Sequence, residues 1–224
     1  HDSMQIDDLA IQLISGEMTA RGPGRLTSHR RNSGELLPGF AMPAGGGAAD
    51  EADAAEKPLN YLEVRFQKNI TGNVHHQSAT FHQQVRATFG PVRSWEDKLN
   101  GDNPDALGPQ AAVLSCDEMT VVRMPQPGGG SPAVELLASG NTLVEGAAFT
   151  ARANRMTYAQ AKDQLILEGD GWTDAQLYYQ SVPGGPTSHF PAQKILFYPS
   201  TRRVDAAGAK ALELNQLPRM DRKP

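Results

Sequence analysis

Apolar and polar residues alternate along much of this chain. In the stretch from Leu59 to Gln67, Leu62, Val64 and Phe66 interleave with Glu63, Arg65 and Gln67. Farther on, Ala79, Phe81, Val85, Ala87 and Phe89 take one side, and Thr80, His82, Gln84, Arg86 and Thr88 take the other, with Gln83 as a polar interruption. A period of two places successive side chains on opposite faces of a pleated strand, so these segments predict half-buried β-strands. The same reading predicts strands at 9–13, 134–137, 142–144, 149–158, 165–167, 176–180 and 194–198, and a strand pair over 113–124. Gly22-Pro23-Gly24, Gly90-Pro91 and Gly128 to Gly130 punctuate them as turns. Ala206 to Leu214 is the one candidate helix, and Gly208 inside it argues against it.

A short pattern recurs on this background. Cys116 to Val121 (CDEMTV), Ala153 to Tyr158 (ANRMTY) and Ala192 to Phe197 (AQKILF) each run small, polar, polar, aliphatic or Met, spacer, large apolar. The last two copies stay aligned from Tyr158 to Gly169 and from Phe197 to Gly208 without a gap, at an offset of 39 residues. Gly72-Asn73 with Phe81 is echoed by Gly140-Asn141 with Phe149. Self-similarity on this scale marks stacked supersecondary units. Within each motif the small residue and the aliphatic one are three apart, which a flat strand would put on opposite faces. A bulge or corner, expected at Asn154-Arg155 in the middle copy, brings them to one face and bends the strand. Repeated corners predict a rolled, two-walled structure.

Composition narrows the options further. The 224 residues include 22 Gly and 16 Pro, too many for long helices. A formal charge of −4 gives no global attraction to nucleic acid, and no apolar run is long enough for a spanning helix. A single cysteine excludes an internal disulfide framework. The sequence begins HDSM and enters a strand-like stretch at once, which reads as a processed form or a fragment. Residues 32–57 are rich in Gly, Ala and acids and are expected to form a flexible insertion; 215–224 are expected to be a loose tail. The whole of 1–224 otherwise reads as one module.

Ser139-Gly140-Asn141-Thr142 leading to Phe149, the Ala153 to Tyr158 motif, and the closing Leu165-Ile166-Leu167-Glu168-Gly169 resemble repeats of the OstA/LptA-like family. That family's pattern is a Gly-Asn turn, a strand ending Ala-Asp-Arg-aliphatic-x-Tyr, a polar turn, and a strand ending in Gly. Asn154 departs from it, whereas Asp117 keeps the acid in the first copy; the resemblance covers roughly 110–210. It implies an all-β fold, an elongated rolled or V-shaped β-jellyroll built from degenerate hairpin repeats. It also implies binding and transport of lipopolysaccharide or another acylated lipid in an apolar groove, in the periplasm or at the outer membrane. The implied partners are that lipid and other jellyroll transport modules, or further copies of the chain, joined through edge strands. Neither nucleic acid nor a cofactor is expected, and no enzyme activity.

The groove candidates are Phe81, Val85, Phe149, Met156, Tyr158, Leu165, Leu167, Ile195 and Phe197. The same alternation would equally serve a solid sandwich core, and the sequence leaves both open. His75, His76 and His82 are the densest set of metal-ligand types, but an extended strand holds His76 and His82 about 20 Å apart, so no metal site is expected. Cys116 occupies the small-residue position of its motif, alongside Ala153 and Ala192, and reads as packing rather than a nucleophile. Arg30-Arg31 and Arg202-Arg203 could meet lipid phosphates at a groove mouth. Trp95 and Trp172 flank turns. A structural scaffold that binds proteins through its edges is the principal rival. A sugar-binding or enzymatic solenoid ranks below it, because no cluster of acids and aromatics is visible along the chain.

Overall fold

The computed structural model describes residues 2–31, 59–108, 110–125, 133–147, 149–180, 185–198, 201 and 203–208. The expected insertion at 32–57, the Gly128 to Gly130 turn, the tail at 215–224 and Arg202 lie outside them. The described residues are all-β: among them are thirteen strands in one sheet, every pairing antiparallel. In chain order they are β1 (Asp2–Ile11), β2 (Glu17–Arg31), β3 (Leu59–Phe66), β4 (Asn69–Asn73), β5 (Ser78–Val92), β6 (Ala112–Met124) and β7 (Ala133–Gly146). They continue with β8 (Phe149–Ala159), β9 (Gln164–Glu168), β10 (Ala175–Gln180), β11 (Thr187–Ala192), β12 (Lys194–Tyr198) and β13 (Arg203–Ala207).

The long strands change partners partway along their length. β2 pairs with β4 through Glu17 to Arg21 and with β3 through Gly24 to Arg31. β5 pairs with β4 through Ser78 to His82 and with β3 through Arg86 to Val92. β8 pairs with β10 up to Arg152 and with β9 from Arg155. The switch points line up across the sheet: Gly22 to Gly24, Gln67-Lys68, Gln83-Gln84, Asp117, Gly140-Asn141, Asn154 and Gln193. Backbone bonds join neighbouring corners, as from Gly22 to the Lys68 carbonyl (2.7 Å) and from Gly169 to the Gln193 carbonyl (3.0 Å). The sheet thereby divides into two walls. One contains 24–31, 59–66, 85–92, 112–116, 142–146, 149–153, 175–180 and 187–192. The other contains 69–73, 78–82, 118–124, 133–139, 155–159, 164–168, 194–198 and 203–207.

The corner residues suit their task. Gln83, Gln84, Gly140 and Asn141 have positive φ, and the first pair sits opposite the single residue Asp117, a bulge on β5. A Cβ on Gly140 would come within 2.3 Å of Asp117 Oδ2, so both the dihedral and the space call for glycine there. The three-residue step of the motif falls on this line: Cys116 and Met119 are buried with Asp117 and Glu118 exposed between them, and Ala192 and Ile195 bracket Gln193 and Lys194. In the middle copy the corner falls at Asn154-Arg155 as the sequence suggested, both exposed between Ala153 and the buried Met156, while the extra residue of the bulge sits on β7, where Gly140-Asn141 oppose Asn154. Glycine and asparagine tolerate the left-handed backbone that this bulge requires.

The aligned hairpins are equivalent: Tyr158 pairs with Leu165 and Phe197 with Val204. The Gly-Asn echo is not, since Gly72-Asn73 ends β4 at a hairpin turn whereas Gly140-Asn141 bends β7 in mid-strand. Several expected boundaries also change. The pair expected over 113–124 is the single strand β6, and 134–137 with 142–144 form the continuous strand β7. Leu13 falls in a turn after β1, and Ala206-Ala207, at the start of the candidate helix, belong to β13, because antiparallel pairing with Lys194-Ile195 outweighs alanine's helix propensity; 209–214 lie outside the described residues. β4 and β11 were not legible: β4 holds Gly72, and β11 carries Pro191 on an open edge.

Residues 93–103 cover the outer face of the first wall. Beneath them lie Tyr61, Glu63 and Thr88, all nearly inaccessible. Glu63 accepts from Tyr61 Oη (2.9 Å) and Arg65 Nε (2.5 Å) and faces Arg25 at 3.3 Å; burial, reinforced by the Glu63 carboxylate, pushes the Tyr61 hydroxyl up. Arg65 also donates to Asp102 (3.0 Å), and Arg86 donates to the Gly101 carbonyl. Asp97 accepts from the Arg93 and Ser94 amides (both 3.0 Å).

The Ser94 contacts hold the Asp97 carboxyl below its usual range, and Arg65 does the same for Asp102. A depressed folded pKa stabilises above the unfolded value, about 3.9 for Asp, and the contribution disappears as pH falls through the folded value. Amide exchange across 93–103 is therefore expected to accelerate below about pH 4 while the strands stay protected. An onset near about pH 6–7 would instead implicate histidine.

Candidate functional site

The interior between the walls is one apolar cluster of two different characters. Toward the C-terminal end it is closed. Met156, Leu167 and Ile195 have no accessible surface, Tyr158, Leu165 and Phe197 have 1%, and Phe149 has 4%. Across the gap the Phe197 ring meets Phe149 and Tyr179 at centroid distances of 6.5 and 6.1 Å. The facing wall supplies small residues here, Ala151, Ala175 and Ala192, so bulky side chains of one wall fill the space left by the other.

Toward the N-terminal end the walls part around a cavity of about 770 Å³. Leu26, Leu62, Val64 and Ala87 of the first wall face Ala79, Phe81, Met119, Val121, Val134 and Leu136 of the second. That volume lies within the range of about 300–1,000 Å³ typical of small-molecule sites. At its rim stand Asp2, Ser28, Arg30, Asn73, Gln77 and Arg123. Arg30 Nη2 donates to Asp2 Oδ2 (3.1 Å) and Ser28 Oγ to Asp2 Oδ1 (2.5 Å); the Ser28 bond, aided by Arg30, holds the Asp2 carboxyl below its ordinary value. The rim thus carries two guanidinium groups above an apolar floor, that of Arg30 already paired with the Asp2 carboxylate.

All nine groove candidates belong to the buried cluster, and of the nine Phe81 also borders the cavity. Phe149, Met156, Tyr158, Leu165, Leu167, Ile195 and Phe197 belong to the closed part, and Val85 is buried on β5 opposite Cys116. Sequence reasoning missed Leu26, Leu62, Met119 and Leu136 as cavity residues. The alternation put Leu62 on one face with Val64 and Phe66, but no local signal tells which end of a two-walled interior stays apart.

The remaining candidates are dispersed. His75 and His76 occupy the β4–β5 turn, while His82 sits at the corner against Glu118 (2.8 Å) and Thr71 (2.9 Å). Among the described residues no group of three His, Cys, Asp or Glu is placed to hold a metal ion. Burial, with Asp117 nearby, pushes the Cys116 thiol up to about 12, so it stays protonated within the core. Arg203 pairs with Asp205 at 2.5 Å on β13, away from the rim, and Arg31 lies 5.8 Å over the Trp95 ring. Trp172 is 93% exposed in the 169–174 connection. No family model and no curated protein matches the chain.

Proposed function

We propose that this protein binds an acylated, anionic amphiphile of the lipopolysaccharide type, with its acyl chains between the two walls, and carries it as a periplasmic, jellyroll-like transport module. The observation that carries the reading is the 770 Å³ cavity, apolar below and crowned by Arg30 and Arg123. Each methylene moved from water into such a site contributes about 0.8 kcal/mol, so a chain of about ten methylenes gains ~8 kcal/mol before ordering costs. The family resemblance of the corner motifs supports the same ligand class. Chains longer than the cavity would have to separate the closed hairpins around Phe197.

The scaffold reading keeps a specific observation of its own. β1, β11 and β13 each have one unpaired edge among the described residues, and β1 exposes Met4, Leu9 and Ile11. An open, apolar edge invites strand addition by a partner. The two readings part in a displacement assay. The carrier should bind a fluorescent lipid at micromolar concentration and release it to lipopolysaccharide. A protein that self-associates or captures protein partners, yet leaves the probe unbound, is a scaffold.

A further inference from the structure

Two of the rows that line the open cavity end on arginine. On β2 the row runs Leu26, Ser28, Arg30, and on β6 it runs Met119, Val121, Arg123; all six border the space. Residues two apart share a face of a strand, so each guanidinium stands on the side that the rest of its row turns inward. Asp2 is the one acid among the described residues that line this cavity. It is the register partner of Ser28, as Met4 is of Leu26, so β1 brings its carboxylate onto the same face.

The Asp2 carboxylate is held through both oxygens. Ser28 Oγ donates to Oδ1 (2.5 Å) and Arg30 Nη2 to Oδ2 (3.1 Å), while Arg30 Nε donates to Ser28 Oγ (3.3 Å). Ser28 itself is 4% exposed, a buried hydroxyl in an otherwise apolar row. The Arg30 and Asp2 side chains keep 36% and 61% of their surface in solvent, and an ion pair that open adds little to stability. Another oxyanion can therefore replace the carboxylate at small cost to the fold.

We infer that Ser28 and Arg30 form a head-group subsite for a phosphate or carboxylate oxyanion, and that Asp2 occupies it in the free protein as an internal competitor. An incoming oxyanion repeats the contacts that the carboxylate makes, because a guanidinium engages both groups through the same paired N–H donors. Arg123, on the facing row, adds a second positive charge across the mouth. The inference rests on the reading of the cavity as a lipid site. It adds a position for the head and a contact that must break before the head is seated.

The test compares the full chain with its Asp2→Asn and Arg30→Gln variants, using dodecyl phosphate, uncharged dodecanol and inorganic phosphate as probes. Displacement of a fluorescent lipid reads the two amphiphiles, and the Ser28 amide and Arg30 Nε resonances of ¹⁵N-labelled protein read inorganic phosphate. Asp2→Asn should tighten dodecyl phosphate about tenfold and leave dodecanol unchanged. Arg30→Gln should erase the preference for the charged amphiphile. Both variants should keep the thermal midpoint. Asp8→Asn, which makes the same charge change at the Arg21 pair on β1 outside the cavity, should alter neither affinity.

Inorganic phosphate should move the Ser28 and Arg30 resonances of Asp2→Asn at lower concentration than those of the unaltered chain. That arm separates a free phosphate from a lipid-borne one and needs no acyl chain. If phosphate moves them while neither amphiphile displaces the fluorescent lipid, the lipid reading fails and the subsite stands. Dodecyl phosphate bound equally by the unaltered chain and Asp2→Asn, an equal gain from Asp8→Asn, or resonances of Asp2→Asn that ignore phosphate would each overturn the assignment.

Discussion

Phe149→Asp is expected to leave no folded protein at room temperature, whereas Arg152→Asp, three residues along the same strand, keeps the fold. Phe149 is buried against Phe197 in the closed part of the interior, and Arg152 points outward. An aspartate at 149 removes a ring worth about 3–5 kcal/mol and places a carboxylate where no cation is at hand. The sum approaches the whole stability of a typical domain, about 5–15 kcal/mol. Circular dichroism and chemical denaturation of the two variants would check it. Equal, severe unfolding of both would mean that the facing of β8 is wrong.

Ala79→Trp is expected to abolish lipid binding while the protein stays folded. Ala79 is half-buried on β5 and borders the open part of the interior. An indole there projects into existing space instead of displacing packed neighbours, so the overpacking cost of about 1–3 kcal/mol seen in filled cores should be largely avoided. Loss of fluorescent-lipid binding by at least about tenfold, with an unchanged unfolding midpoint, is the expected pair of results. Undiminished binding would place the acyl chains elsewhere.

Much of the architecture was written in local sequence. Period-two alternation located the strands around Leu62, Phe81, Phe149 and Leu165, and the three-residue step from Cys116 to Met119 announced a corner. The matched hairpins at Tyr158/Leu165 and Phe197/Val204 keep one register because the same spacing serves the same turn. What could not be read was long-range. That Gln83 and Gln84 would take left-handed backbone follows from their place opposite Asp117, not from glutamine's own preferences. Glu63 looked like the solvent side of an alternating strand, yet residues 93–103 fold over that face, and Tyr61, Arg25 and Arg65 of β3 and β2 surround its carboxylate. The candidate site divides in the same way. Inward facing was legible for all nine groove residues, but whether the walls touch depends on side-chain volumes contributed by distant strands, such as Ala151 and Ala192 opposite Phe197.

On the proposed reading, acyl chains occupy the space between Phe81, Met119 and Leu136. Methyl-resolved NMR of methionine-labelled protein tests it directly, because Met119 borders the cavity and Met156 lies in the closed end. Titration with lipopolysaccharide should shift and broaden the Met119 methyl resonance and leave Met156 unmoved at low occupancy. A Met119 resonance that stays in place through saturating lipid would mean that no acyl chain enters this space.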